Sequence, residues 1–169
     1  MMPLRKQLAE ILLWTAIVMS GAVFGASVYQ RISLIPEWGG NLPSSVITHF
    51  SGTTAAAASG RFWASALPPT GLVILLALIF GWPDRQRRTW LSLALGLFVA
   101  GMIWTEAWFI PKGVVPLMER AGAGMTPEEI TAKASAWIFW DWFRMALTLG
   151  FLLSLLKALT RRPPSQVTS

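Results

Sequence analysis

The chain is organised as long apolar runs separated by short polar segments. No charged residue occurs from Ile11 to Gln30 or from Phe62 to Pro83. A third run, 89–110, contains a single charged residue, Glu106, and a fourth, 134–159, contains Asp141 and Arg144 before Lys157 near its end. A membrane-spanning helix needs about 20 mostly apolar residues. The pattern therefore predicts four transmembrane helices, at about 8–30, 61–82, 89–110 and 134–159.

Composition supports this membrane interpretation. Hydrophobic residues make up 54% of the 169 residues and charged residues 13%, whereas a soluble domain has about 25% charged residues. The ten tryptophans fit a protein with side chains at membrane–water interfaces. We expect an all-α fold, a four-helix antiparallel transmembrane bundle forming one membrane domain over 1–169. Two long loops are expected to form an outer cap, and residues 160–169 a disordered tail.

The distribution of lysine and arginine predicts the orientation. One side of the bundle, with residues 1–10, 83–88 and 157–169, carries eight of them, and the other side, with 31–61 and 111–133, carries five over a longer length. By the positive-inside rule both termini are cytoplasmic. The net charge of +6 is then explained by topology and by contact with anionic membrane lipids, and no nucleic-acid partner is expected.

The two outer segments carry local structural signals. Residues 35–40 predict a turn anchored by an interfacial Trp38. After Pro43, the spacing of Val46, Ile47 and Phe50 fits either a short interfacial helix or a plain surface loop. Thr126, Pro127 and Glu129 form a capping box with proline at the first helical position, which predicts a helix running unbroken into the fourth span.

Ionisable residues inside a span are costly and mark either function or a paired structural core. Glu106, Asp141 and Arg144 all fall in the predicted outer half of the membrane. Trp137, Trp140, Asp141 and Arg144 follow the spacing i, i+3, i+4, i+7, so they share one helical face, which should point into the bundle. The trio fits either a structural ion network or a reactive site, in which the second carboxylate is left over to accept a proton.

Other residues extend or limit the candidate chemistry. His49 is either a second base, if its loop folds over the site, or a solvated histidine. Pro68 and Pro69 predict a kink in the second span, which either opens a pocket at the level of the trio or serves helix packing without a ligand. The chain has no cysteine and one histidine, which excludes cysteine-ligated metals and multi-histidine sites, and no cofactor is expected.

Several segments together resemble the anthrone-oxygenase-like family of small four-helix membrane proteins. They are Tyr29-Gln30, Ile35-Pro36-Glu37-Trp38, Gly60-Arg61-Phe62-Trp63, the stretch from Thr105 to Pro111, and the stretch from Trp137 to Arg144. The family pattern in the fourth span has Trp, then Asn, then Arg, and here Asp141 replaces the Asn. Lys112-Gly113 departs from the family's Pro with a nearby Asn after the third span.

The resemblance implies cofactor-free oxidation of an anthrone- or hydroquinone-like substrate in a bacterial inner membrane. Glu106, Asp141 or His49 would remove an acidic C–H proton, and Arg144 would stabilise the enolate oxygen. Trp137 and Trp140 would stack on a flat ligand. Trp38, Tyr29 and Arg61, which lie in the resembling segments, are the other expected ligand contacts.

Two other functions stay open from the residues alone, so whether the protein is an enzyme is undecided. One is a non-enzymatic binder or carrier of a lipid, quinone or hydrophobic metabolite, and the other is a structural accessory subunit. The apolar inner halves of the spans disfavour a channel, and the absence of an internal repeat disfavours a secondary transporter. Small residues such as Gly21, Gly25, Gly96 and Gly101 fit either close packing within the chain or a homo-oligomer.

Overall fold

A computed structural model describes residues 4–51, 53–120 and 124–160, without the side chains at 51–60, 106, 108 and 114. Every regular element in these ranges is helical, so the all-α prediction is confirmed. The long helices are α1 (Leu4–Tyr29), α4 (Thr53–Gly81), α5 (Arg85–Trp104) and α7 (Pro127–Thr160). The shorter ones are α2 (Ile35–Gly39), α3 (Ser44–Ser51) and α6 (Val115–Arg120). Two π-helical segments, Gln30–Leu34 and Thr105–Val114, join α1 to α2 and α5 to α6.

The four long helices form an antiparallel bundle in which α1 packs against α4 and α7, and α5 packs against α4 and α7. Arg5 at the start of α1 donates to the carbonyl of Phe80 at the end of α4. Lys133 near the start of α7 donates to the carbonyl of Lys112 beyond α5. These contacts join opposite ends of neighbouring helices. We call the end with α2, α3 and α6 the cap end, and the other the terminal end.

Four helical stretches are long and apolar enough to cross a membrane: Leu4–Gly39, Arg61–Gly81, Arg85–Arg120 and Pro127–Thr160. Their outward faces expose large apolar side chains, among them Ile11 at 61%, Ile103 at 63% and Phe139 at 65%. A soluble monomer rarely leaves so much apolar surface uncovered. The outer surface is therefore suited to lipid, as expected of an integral membrane protein.

The cap differs from the two long loops expected from the sequence, because most of it is helical. The turn expected at residues 35–40 is wrong: the first helix continues through its π-helical segment into α2, where Pro36 occupies an N-terminal position that needs no amide donor. Trp38 is buried within the cap, at 3% exposure. Of the two alternatives after Pro43, the structure contains the helix, α3, with Val46 and Phe50 buried.

The capping box at the start of α7 is confirmed. The Glu129 amide donates to Thr126 Oγ1 at 3.3 Å, and the Thr126 amide donates to Glu129 Oε2 at 3.0 Å. From Pro127 the helix continues unbroken through the fourth span to Thr160. The predicted tail at 160–169 lies, beyond Thr160, outside the described residues.

Two buried apolar clusters divide the molecule along its length. One fills the bundle towards the terminal end and includes Leu13, Ile74, Leu91, Phe98 and Phe151. The second lies in the cap and joins α2, α3 and α6 to the start of α7, with the residues Ile35, Trp38, Val46, Phe50, Phe109, Leu117, Ile130, Ala134 and Trp137. The cap thus has a core of its own, which can hold its helices in place above the bundle.

Gly71 on α4 packs closely against the Phe98 ring on α5. A methyl group there would come within 2.5 Å of Cε1 of the buried Phe98 ring, whereas one at Gly21 in α1 would meet nothing within 4 Å. Gly71→Ala should therefore lower the thermal midpoint, since overpacking typically costs about 1–3 kcal/mol. Gly21→Ala should leave it unchanged or raise it, because alanine is favoured over glycine inside a helix. Equal midpoints for the two variants, in thermal unfolding in detergent, would contradict this packing.

Candidate functional site

An internal cavity of about 380 Å³ lies between the bundle cluster and the cap cluster. This volume falls within the range of small-molecule sites. Its walls come from all four long helices and from the cap, and they are mainly apolar. The side chains that line it include Val23, Gln30, Leu34, Glu37, Trp38, His49, Phe50, Trp63, Leu67, Phe98, Met102, Thr105, Phe109, Met118, Trp137, Arg144, Leu147, Thr148 and Phe151.

An ion pair on α7 provides the charged part of this region. Asp141 is fully buried, and its Oδ1 accepts from Arg144 Nη2 at 2.7 Å and from Nε at 3.1 Å. No other ion pair occurs among the described residues. The one-sided arrangement leaves Asp141 Oδ2 buried without a hydrogen-bond partner in the described part of the chain.

Arg144 contacts two neighbouring elements and still borders the cavity. Its Nη2 also donates to Gln30 Oε1, in the π-helical segment that follows α1, at 3.2 Å. Its guanidinium carbon lies 4.7 Å from the centre of the Trp63 ring on α4, a cation–π distance. Nη1 makes no hydrogen bond with any described residue. Arg144 therefore offers a held, charged donor to a molecule in the cavity.

Aromatic rings form the cap-end wall. The Trp137 ring lies 4.8 Å from Trp38, 5.9 Å from Phe50 and 6.0 Å from Phe109, centre to centre. All four side chains are buried and line the cavity. Trp137 Nε1 is buried and has no partner among the described residues. This wall can contact a flat apolar molecule.

The predicted face of α7 is partly correct. Trp137, Asp141 and Arg144 share the inward side of the helix, with Trp137 and Arg144 at the cavity. Trp140 does not line the cavity. Its ring packs 5.0 Å from Trp104 on α5, because position i+3 is rotated towards that neighbour. Trp104 itself is half-buried in this contact.

Of the other predicted site residues, one lines the cavity, two do not, and the side chain of one is not described. His49 lines the cavity and meets the Phe50 ring edge-on at 5.0 Å. Tyr29, at 58% exposure, and Arg61, which is exposed, do not line it. Glu106 belongs to the second π-helical segment, and its side chain lies outside the described part of the structure. Helix α4 continues without a break through Pro68 and Pro69. Leu67, the residue before them, lines the cavity.

Several polar or aromatic lining residues were not predicted from the sequence, among them Gln30, Glu37, Trp63 and Thr148. Thr148 lies four residues after Arg144, so the helical period of the Trp137 face could have included it. Gln30 and Trp63 reach the site across helix–helix contacts, for which the chain carries no local signal. Within the described residues, no group of three or more His, Asp or Glu side chains could hold a metal ion.

Comparison with protein-family models, with curated proteins and with solved structures gives no match to this chain. The function must therefore be argued from the geometry of the cavity.

The ion pair allows a test of its structural role. Arg144→Met should lower stability by about 3–5 kcal/mol, because it leaves the Asp141 carboxylate buried without its counterion. The double variant Asp141→Leu/Arg144→Met should recover most of that loss, since it removes both charges together. Chemical unfolding in mixed micelles measures both. A double variant as unstable as the single one would show that the loss has a different cause.

Proposed function

We propose that this protein is an integral membrane protein that binds a flat hydrophobic small molecule, with an oxygen acceptor, in the cavity between bundle and cap. The observation that carries the proposal is the cavity of about 380 Å³, bordered by aromatic rings and by Arg144, whose Nη1 has no partner among the described residues. An acceptor oxygen on the ligand would complete the hydrogen bonding of this guanidinium.

The electrostatics favour a neutral acceptor. Asp141 already balances the charge of Arg144, so the pair as a whole is neutral. A carbonyl or hydroxyl oxygen can accept from Arg144 without adding a charge to a low-dielectric site. The apolar walls from Phe98, Met102 and Phe151 would contact the ring system. A quinone, hydroquinone or related polycyclic ketone has this combination of a flat apolar body and an oxygen at its edge.

The charge distribution supports an orientation for the proposed site. With both termini in the cytoplasm, as the positive-inside rule predicts, the cap end faces the outer side of the membrane. The cavity would then lie in the outer half of the bilayer. Ligands dissolved in the outer leaflet would approach it from the lipid.

Binding can be tested with two flat probes, 1,4-naphthoquinone, which has two carbonyl oxygens, and naphthalene, which has none. Quenching of tryptophan fluorescence reports binding, since Trp38, Trp63 and Trp137 border the cavity. The quinone should bind at least about tenfold more tightly than the hydrocarbon to the wild type, because hydrogen bonds to charged groups contribute about 1.5–3 kcal/mol. That preference should disappear in Asp141→Leu/Arg144→Met and persist in Arg31→Gln. Arg31 also contacts α7, through the Ile138 carbonyl, but it does not line the cavity.

Two glycine-to-leucine variants on α5 give an independent test, because one of the glycines lines the cavity and the other does not. Gly101 lines the cavity, and a methyl group there would meet Leu147 at an ordinary contact distance of 3.8 Å. Gly101→Leu should therefore keep the fold and reduce probe binding at least about tenfold by occupying ligand volume. Gly96→Leu, at an exposed position with nothing within 4 Å, should bind like the wild type. Unchanged binding in Gly101→Leu would place the probe elsewhere.

Cofactor-free oxygenation is a second candidate, favoured by the presence of His49 and Arg144 on one cavity. His49 would take a proton from a C–H group beside a carbonyl, and Arg144 would hydrogen-bond the enolate oxygen. The enolate carbon would add dioxygen, and protonation would give a hydroperoxide. Loss of water then leaves a ketone, so the CH₂ group is oxidised by four electrons and one O₂ gives the new carbonyl oxygen and one H₂O. The resemblance to anthrone-oxygenase-like proteins is consistent with this chemistry.

Oxygen uptake with an anthrone tests this second candidate. Wild-type protein should consume one O₂ for each anthrone oxidised. His49→Gln, which keeps a polar side chain but removes the base, should be slower by about 100-fold or more, the usual contribution of general base catalysis. Arg31→Gln should retain the wild-type rate. Equal rates in wild type and His49→Gln would leave ligand binding as the function of the cavity.

A further inference from the structure

A cluster of arginine residues lies at the terminal end, around the short turn between α4 and α5. Arg85, Arg87 and Arg88 follow this turn, and Arg5 reaches it from the start of α1. None of the four has a carboxylate partner among the described residues. Asp84 uses its Oδ1 to cap α5, accepting from the amides of Gln86 and Arg87 at 3.1 Å. The four arginines outnumber this one carboxylate of the turn, so the surface keeps a net positive charge.

Two of these arginines are held in place by neutral groups. Arg5 donates from Nε to the Phe80 carbonyl at 3.3 Å and from Nη2 to the Ile79 carbonyl at 3.2 Å. Its Nη1 has no partner among the described residues. Arg88 lies 4.9 Å from the centre of the half-exposed Trp82 ring. Arg87 packs near Gly81, and its Nε is buried without a partner in the described structure. Arg5 and Arg88 are thus held near the end of α4, and Arg5 keeps a free donor, Nη1, within the described structure.

An apolar groove runs beside these donors, between α1 and α4. It is lined by Leu4, Leu8, Ile79 and Phe80, with Arg5 as its charged member. Leu4 is 70% exposed and Ile79 50% exposed, so the groove opens on the outer surface of the bundle. Because the spans begin and end here, the arginines lie where lipid headgroups meet a spanning helix, and the groove lies where acyl chains begin.

We propose that this surface is a binding site for an anionic phospholipid. Its phosphate would accept from Arg5 Nη1 and from the arginines of the α4–α5 turn, and an acyl chain would lie in the Leu4–Phe80 groove. Charge complementarity selects the anionic headgroup, since no described carboxylate neutralises the site. The exposed apolar groove selects a lipid rather than a free anion. The site is separate from the cavity and does not depend on the function proposed for it.

Native mass spectrometry of the detergent-purified full chain, with added phosphatidylglycerol or phosphatidylcholine, tests the proposal. The wild type should retain phosphatidylglycerol preferentially, and the preference should fall as ionic strength rises. Arg5→Gln/Arg88→Gln should reduce the preference about 25-fold, at about fivefold for each arginine near the membrane surface. The matched control Lys112→Gln/Arg120→Gln removes two exposed cations at the cap end and should keep it.

Each alternative outcome overturns the proposal. Equal retention of both lipids by the wild type would contradict an anionic site without any variant, and so would an equal loss in the cap-end control, which would indicate net charge alone. If Arg5→Gln/Arg88→Gln does not fold, Arg85→Gln/Arg88→Gln keeps the Arg5 contacts with α4 and should still lower the preference. Displacement of phosphatidylglycerol by an equal concentration of inorganic phosphate would show that the groove contributes nothing.

Discussion

The pairing of one buried carboxylate organises the centre of this molecule. Asp141 is fully buried in an apolar helix, where an unpaired charge would be strongly unfavourable. Arg144 pairs with its Oδ1 from the next turn of the same helix, so the charge is balanced within α7 before any other helix contributes. Arg144 then reaches Gln30, in the π-helical segment after α1, and Trp63 on α4. The arginine that balances the buried charge on α7 thus also connects α7 with α4 and with the π-helical segment after α1.

The cavity follows from the way the apolar residues are distributed. The residues of the bundle cluster pack against one another, and so do those of the cap cluster. A space of about 380 Å³ remains between the two clusters. Gln30 and Arg31 join the cap to α7 from adjacent positions of the first π-helical segment: Gln30 accepts from Arg144, and Arg31 donates to the Ile138 carbonyl at 2.8 Å. These contacts connect the segment that leads into the cap with the fourth span.

The sequence predicts the bundle well because membrane insertion leaves a local signal of length and hydropathy in each span. It also predicts the start of α7, since a capping box depends on residues three positions apart. It does not predict the helical continuation through Ile35 and Trp38, where proline and glycine resemble a turn until tertiary packing buries the tryptophan. The contacts of Arg144 with Gln30 and Trp63 join residues more than 80 positions apart, and no local pattern records such pairing.

The unmet polar groups argue that the ion pair does more than fasten helices. A network that serves packing alone is expected to satisfy its own donors and acceptors, because each unpaired buried group lowers stability. Here Trp137 Nε1 and Asp141 Oδ2 are both buried without partners in the described structure, and they lie on the same face of α7 as Arg144. The tryptophan and the arginine both border the cavity. In the proposed function, an acceptor oxygen on the ligand would complete the hydrogen bonding of the Arg144 guanidinium in that space.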